Sequence, residues 1–221
     1  KEERGLECLA LINRLDRETS GIVLLAKTKR VIRPLQEQFA KQQVDKRYLV
    51  LVEGEFPAGQ TTAAGWLGPD SASIIRKKAR FTASDIAAEG AKRCSTDFRL
   101  LAVGNGLSLV EAKPQTGRCH QIRATLLALG YPVVGDKLYG VDERLFLRLQ
   151  QGCLTPADHE RLRLPRQALH ASRLRIKHPV DERELTITAP LPSAFQTVFP
   201  ASRVPPGSGE RTGVAIQHQG I

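Results

Sequence analysis

The stretch Asn13–Thr28, NRLDRETSGIVLLAKT, joins a dense polar cluster to a run of apolar residues. Residues 21–27 are rich in leucine and β-branched side chains, which is typical of a buried strand. The polar cluster therefore occupies a loop at the edge of a sheet. Asp16 lies there between Arg14 and Arg17, whose positive charge favours the ionised carboxylate of a nucleophile or a base. The same residues also fit an Asx-type turn with solvated arginines.

Hydrophobic spacing outside this stretch predicts elements in an irregular order. We expect strands at Tyr48–Val52, Phe98–Val103, Leu107–Lys113, Ala168–Ile176 and Leu185–Ala189, and helices carrying Val31, Leu35 and Phe39, then at about His120–Leu129, Leu145–Gln150, Pro156–Leu162 and Ser193–Val198. Asn105-Gly106 supplies the positive φ values of a tight hairpin turn. Residues 58–91 are small, polar and basic, and predict a hairpin lobe or loop inserted into the domain. Hairpins with helices between them predict an α+β fold.

The charge balance favours a polyanionic partner. The 221 residues include 33 Lys and Arg against 23 Asp and Glu, a formal net charge of +10. Such a balance suits nucleic acid, although it also serves solubility. Apolar residues at 41% and charged residues at 25% exclude collagen, coiled coil and wholesale disorder. The longest apolar run, residues 21–26, is too short to span a bilayer, so we expect no membrane partner.

The four cysteines, at positions 8, 94, 119 and 153, are scattered without the spacing of a zinc site or a disulfide framework. This usage indicates a reducing compartment, and we predict a cytoplasmic protein.

A second polar stretch, Thr116–Arg123 (TGRCHQIR), opens a predicted helix. Free backbone N–H groups together with Arg118 and Arg123 would suit a phosphate there. A helix start with exposed basic residues is the alternative. Cys119 beside His120 suggests a thiol site, but the sequence offers no third partner.

Four blocks, in this order, carry a resemblance to a known family. Asn13–Thr28 resembles the HRLDRxTSGxLLxAK signature of the RluA-type RNA pseudouridine synthases, and Lys46-Arg47-Tyr48 resembles that family's K-x-Y strand. Gly117–Gly140 (GRCHQIRATLLALGYPVVGDKLYG) is similar to the GRTHQIR and GDxxYG block, and Arg166–Pro179 (RQALHASRLRIKHP) to the LHA block. The resemblance covers roughly residues 11–199.

The resemblance implies a mixed, mostly antiparallel central sheet with flanking helices and a basic cleft, the pseudouridine synthase fold. It implies that residues 1–199 form the catalytic domain, from which we expect an N-terminal part of the family's domain to be missing. Residues 200–221, rich in Pro, Gly, Ser and Gln, are expected to form a disordered tail.

The implied activity converts uridine in RNA to pseudouridine without metal or cofactor. In that comparison Asp16 matches the catalytic aspartate, Tyr48 the tyrosine that stacks on the target base, and Arg123 the basic residue that pairs with the aspartate. For Tyr48 and Arg123 the alternatives are a core aromatic residue and an exposed helix arginine.

Four further residues are assigned to the substrate. Arg14 matches a position that fills the space left by a flipped nucleotide. Leu169 matches the apolar wall of the pocket, or else it is a core leucine. Arg17 and Arg118 are expected to contact the RNA, and so is the basic segment Arg76–Arg80. His120, Tyr139 and His170 are expected to have structural roles.

We therefore predict a monomeric enzyme that modifies ribosomal or transfer RNA. The alternatives are an RNA-binding module that keeps this fold without turnover, and an unrelated hydrolase that uses Asp16 with Arg123.

Overall fold

The computed structural model describes residues 6–199 and has an eight-stranded sheet at its centre. In chain order the ten strands of the described residues are β1 (Ala10–Leu11), β2 (Ser20–Gly21), β3 (Leu25–Ala26), β4 (Asp45–Glu53), β5 (Gln60–Pro69), β6 (Ala79–Thr82), β7 (Lys92–Gly104), β8 (Leu107–Pro114), β9 (Leu169–Lys177) and β10 (Glu184–Thr188). The helices are α1 (Ile32–Ala40), α2 (Gln121–Ala128), α3 (Arg144–Gln151), α4 (Pro156–Leu162) and α5 (Ser193–Gln196).

The sheet is mixed and mostly antiparallel, which confirms the expected α+β fold. Its strand order is β10-β9-β4-β8-β7-β5-β6, with every neighbouring pair antiparallel, and β2 pairs in parallel with β9. The strands β1 and β3 form a separate two-stranded sheet. Asn105 and Gly106 have φ values of 55° and 69°, so the predicted hairpin turn between β7 and β8 is confirmed.

The main hydrophobic core is built on β4 and β8, two apolar strands that lie side by side at the centre of the sheet. Val50, Leu51 and Val52 of β4 are fully buried, because helices or loops cover both faces of the sheet there. A smaller cluster joins Leu35 of α1 to Leu174 of β9. Ile22, from the stretch Asn13–Thr28, also belongs to this smaller cluster.

The continuous buried strand expected at residues 21–27 is wrong. Gly21 ends β2, Leu25 begins β3, and the side chains of Val23 and Leu25 are exposed. The Asn13 side chain donates to the Ile22 carbonyl oxygen and accepts from the Leu24 amide, so it replaces the strand neighbour that this segment lacks. Apolar composition alone cannot reveal such a side-chain substitute for a backbone ladder.

The expectation of an inserted lobe at residues 58–91 is half right. β5 and β6 do form a hairpin, but β5 is an interior strand that pairs with β7 from Gln60 to Leu67. Small residues at alternating positions make this strand: Ala63 is buried, and Gly65 lies so close to the backbone of Thr82 that no side chain would fit. Such residues resemble a loop in composition.

The predicted helices are confirmed with shifts of a few residues at their ends, including Pro34 in the first turn of α1. The expected tail at residues 200–221 lies outside the described residues. Among residues 6–199 no helix is long and apolar enough to cross a membrane.

Candidate active site

Arg123 and Asp16 meet at one ion pair, as the sequence predicts. Arg123 stands in the first turn of α2, and its Nη1 donates to Oδ2 of Asp16 at 2.9 Å. The same guanidinium binds Asp136 twice, through Nε to Oδ2 at 2.6 Å and through Nη2 to Oδ1 at 2.9 Å. The Arg123 side chain is only 8% exposed, so the alternative of an exposed helix arginine is excluded.

Asp136 is the residue that fixes Arg123, and it is fully buried. Burial alone would raise the pKa of Asp136, but the Arg123 guanidinium and the amides of Leu138 and Tyr139 outweigh it and hold that pKa below its ordinary value. Burial likewise opposes the charge of Arg123, yet the two carboxylates raise the pKa of its guanidinium. The Tyr139 ring lies 4.8 Å from the guanidinium carbon and covers its face. Arg123 therefore uses two of its five N–H groups on Asp136 and presents Nη1 to Asp16.

Separate polar contacts hold the loop that carries Asp16. The Asp16 carbonyl accepts from the Thr19 amide and closes a tight turn. Side chains of residues 18–20 reach other parts of the chain: Glu18 pairs with Lys137, Thr19 accepts from Gln167, and Ser20 bonds His170.

Gly21 brings this loop against the sheet. Its φ of +113° lies in the region that favours glycine, and a Cβ there would lie 2.3 Å from the Ala171 carbonyl oxygen. The Ile22 amide donates to that same oxygen at 3.0 Å. Any side chain at position 21 would push the Asp16 loop away from β9.

Tyr48 lies on β4 between β8 and β9, and its side chain lines the same cavity as Asp16. Burial and then the negative charge of Asp16 raise the pKa of Tyr48 to about 12. The phenol is therefore neutral near pH 7.

The cavity in front of the ion pair has a volume of about 580 Å³ and is rimmed by cationic side chains. Its charged and aromatic lining comprises Arg14, Asp16, Arg17, Phe39, Lys46, Tyr48, Arg118, His120 and Arg123. The structure thus brings six of the seven predicted site residues together. The seventh, Leu169, is 4% exposed in the hydrophobic core and lies outside the lining of this cavity, which matches its alternative as a core leucine.

A second cavity of about 520 Å³ shares the lining residues Asp16, Arg17, His120 and Arg123 with the first. Lys77 reaches it from the basic segment Arg76–Arg80, where its ammonium lies 4.1 Å from the centre of the Phe146 ring. Lys78 instead binds Glu143 at 2.6 Å, so part of the segment's charge is neutralised within the protein.

The structural roles expected for the motif histidines fit the contacts. His120 Nδ1 bonds the Tyr139 hydroxyl at 3.0 Å, and His170 Nδ1 bonds Ser20 at 2.9 Å. The third partner that the sequence lacked for Cys119 and His120 is Asp16: one ligand atom from each lies within 4.8 Å of the others.

Sequence reasoning gave no role to Asp136, Lys137 or Gln167. Asp136 belongs to the quoted GDKLYG block, where it stands between Gly135 and Lys137 in an otherwise largely apolar stretch, and a carboxylate buried there would need a partner. That signal identifies a paired aspartate but not Arg123 as its partner.

Comparisons with known proteins show the family to which this chain is similar. The sequence model of the RNA pseudouridylate synthase family matches residues 1–128. The ribosomal large subunit pseudouridine synthase D of Zymomonas mobilis is 30% identical over 196 residues, and synthase C of Vibrio cholerae is 34% identical over 196 residues. Each alignment covers 88% of this chain and 56% of the relative.

Among solved structures, human RNA pseudouridylate synthase domain containing 1 superposes with a TM-score of 0.66 at 29% identity, covering 85% of this chain and 73% of that one. The chain thus spans a little over half the length of the curated relatives and most of the solved domain. These matches confirm the resemblance carried by the four sequence blocks, and the chain belongs to the RluA-type branch of the RNA pseudouridylate synthase family.

Proposed function

We propose that this protein converts uridine in RNA to pseudouridine, with Asp16 as its catalytic carboxylate. The observation that carries the proposal is the Asp16–Arg123 pair, which faces a cavity shared with Tyr48 and rimmed by arginines. Arg123 cannot turn away without leaving Asp136 buried and unpaired, so the carboxylate has a fixed partner before substrate binds.

The reaction requires three events at the nucleoside. The bond from C1′ to N1 breaks, the uracil rotates, and C5 bonds C1′ with loss of the proton at C5. A carboxylate in contact with the nucleoside can attack the sugar, attack the ring or assist proton loss. Asp16 offers a second oxygen, Oδ1, for this contact while Oδ2 stays bonded to Arg123. No metal or cofactor is needed in any of the three routes.

Tyr48 acts in this proposal as a neutral phenol. Its ring stacks on the flipped base, because one face of an aromatic side chain in a cavity suits any pyrimidine. With a pKa of about 12 its hydroxyl donates a hydrogen bond near pH 7 and cannot serve as a ready base. The phenol can take up the proton at C5 only if it passes its own proton to a second group. Asp16, whose charge acts on Tyr48, is the group that can accept that proton.

The substrate is RNA, and not a free nucleoside, because a second cavity adjoins the first at the Asp16–Arg123 pair and can hold further nucleotides. The two cavities meet at Asp16 and Arg123, so a chain can occupy both while one nucleotide reaches the carboxylate. Arg14, Arg17 and Arg118 line the first cavity and can contact phosphates. We assign Arg14 to the gap left by the flipped base, since a paired uridine is out of reach until it leaves the stack.

The relatives carry names that refer to the ribosomal large subunit. We propose ribosomal or transfer RNA as the substrate, handled by a single copy of the protein in the cytoplasm.

The direct test is to incubate cellular RNA with the protein and map new pseudouridines, with protein-free RNA as control. The proposal predicts new pseudouridine at one or a few defined uridines. RNA that binds and stays unmodified would instead support the non-catalytic binding module. Free uracil or cleaved strands would support the hydrolase.

A further inference from the structure

Asp16, Cys119 and His120 form a group of metal-binding side chains at the mouth of the active site. One atom of each lies within 4.8 Å of the other two. The carboxylate comes from the 13–19 loop, and the thiol and imidazole come from the residues just before α2. Oxygen, sulfur and nitrogen donors together suit Zn²⁺, which also accepts three protein ligands with a fourth position open.

Each of the three groups can bind an ion while the hydrogen bonds that hold the active site persist. Arg123 binds Oδ2 of Asp16, and Oδ1 can coordinate while that bond persists. His120 is held by the Tyr139 hydroxyl at 3.0 Å, the kind of outer hydrogen bond that orients metal-binding histidines. Cys119 is exposed, so ions reach it from solvent.

Two of the three ligands can offset the charge of a divalent cation within a cavity that cationic side chains rim. The positive charge of Arg123 is already balanced by its two bonds to Asp136. The Asp16 carboxylate and a Cys119 thiolate then supply two negative charges. The Cys119 thiol gives up its proton when the metal binds. Coordination forms the metal–sulfur bond and releases that proton to solvent.

We propose that Asp16, Cys119 and His120 bind Zn²⁺ and that the bound ion inhibits the enzyme by occupying Asp16. The ion takes no part in the reaction: it competes with the target nucleoside for the same carboxylate. The inhibitory half of this inference rests on the proposed function, whereas the binding half stands on the geometry alone.

The experiment measures binding and inhibition separately on the full chain. Co²⁺ serves as the spectroscopic probe, because a thiolate ligand gives it an intense near-ultraviolet charge-transfer band. Zn²⁺ titrated against bound Co²⁺ then gives its dissociation constant. Cys119→Ser is the test variant, and Cys153→Ser, another exposed cysteine outside the group, is the matched control. RNA conversion is measured for each protein with and without Zn²⁺, relative to its own metal-free rate.

The proposal predicts one thiolate–Co²⁺ band in the wild type and in Cys153→Ser. It also predicts that Cys119→Ser binds Zn²⁺ at least about tenfold more weakly. Mutation of a residue that only hydrogen-bonds to a metal ligand already lowers metal affinity by about that factor. Zn²⁺ should stop conversion by the wild type at concentrations that spare Cys119→Ser. Equal binding by the two cysteine variants, or full activity with Zn²⁺ bound, would overturn the inference. If metal-free protein converts no RNA, the proposed function fails while the Co²⁺ band still decides the site.

Discussion

Arg123 and Asp16 meet at 2.9 Å, but two differently built parts of the chain bring them together. Arg123 stands on helix α2 and is locked by the fully buried Asp136. Asp16 stands on a loop between two-residue strands, 25% exposed, and side-chain contacts of residues 18–20 hold that loop. The helix side therefore cannot change without a large loss of stability, whereas the loop side can shift while the core stays folded.

The largest effect on stability should come from breaking the helix side with Arg123→Met. The variant leaves Asp136 charged and unpaired in the core, which should cost about 3–5 kcal/mol of unfolding free energy. Conversion should fall about 100-fold or more, because Asp16 loses its partner. Denaturant unfolding and single-turnover rates on one RNA measure the two effects.

The double variant Arg123→Met/Asp136→Asn separates those two losses. It removes the orphaned charge, so it should recover part of the stability and none of the activity. Recovery of activity would mean that Arg123 acts only as a structural partner of Asp136.

Gly21→Ala should damage the loop side next most strongly. A methyl group there meets the Ala171 backbone at 2.3 Å in a conformation that disfavours alanine, and should cost about 3 kcal/mol. Gly59→Ala is the matched control, since Gly59 also has positive φ but no atom lies within 4 Å of its added Cβ. That control should lose only about 1 kcal/mol. Equal losses of unfolding free energy would show that the positive φ alone, and not the close contact with Ala171 of β9, requires glycine at position 21.

Arg14→Ala should have a smaller effect that depends on the RNA. Unstacking a paired nucleotide costs a few kcal/mol and a loose one less, so a structured stem-loop should be slowed about tenfold more than a short unstructured RNA with the same uridine. Conversion rates of the two RNAs by the variant and the wild type measure that ratio. Equal slowing would show that Arg14 only supports the charge of Asp16.

Acid should lower the stability of the loop side and of the helix side in different pH ranges. This effect should be smaller than those of the substitutions at Arg123, Gly21 and Arg14. Burial lowers the pKa of His170 below its ordinary 6.5, so the unfolded chain takes up that proton first and stability falls as pH drops below about 6.5. The pKa of Asp136 lies below its ordinary 3.8, so its contribution is complete above that value and is lost at still lower pH.

Unfolding free energies across a pH series test this order. His170→Gln should flatten the slope just below pH 6.5 and leave the slope below pH 3.8 unchanged. A variant with the wild-type slope in the upper range would contradict a role for His170 there.

The sequence was sufficient where local pattern and motif spacing carry the information. The Asn-Gly turn, the helix after residue 120 and the positions of Asp16, Tyr48 and Arg123 in one cavity were all predictable. Each depends on residues close in sequence or on blocks that resemble a known family.

It was insufficient where a distant side chain decides the structure. The Asn13 side chain interrupts the strand expected at residues 21–27, and β5 is built from small residues that resemble a loop. Asp136 received no role because the pairing of a buried carboxylate with Arg123 depends on how the loop after α2 folds back. Leu169 was assigned to the pocket although its strand position buries it in the core.

The central claim is that the Asp16 carboxylate carries the conversion of uridine. The most direct measurement compares Asp16→Asn with the wild type on one RNA that the wild type modifies, recording the single-turnover rate and the dissociation constant. Asp85→Asn, an exposed aspartate outside both cavities, is the control for the same chemical change. The account predicts that Asp16→Asn loses at least about 10³-fold in rate and binds RNA nearly as well as the wild type. A wild-type rate in Asp16→Asn would contradict it.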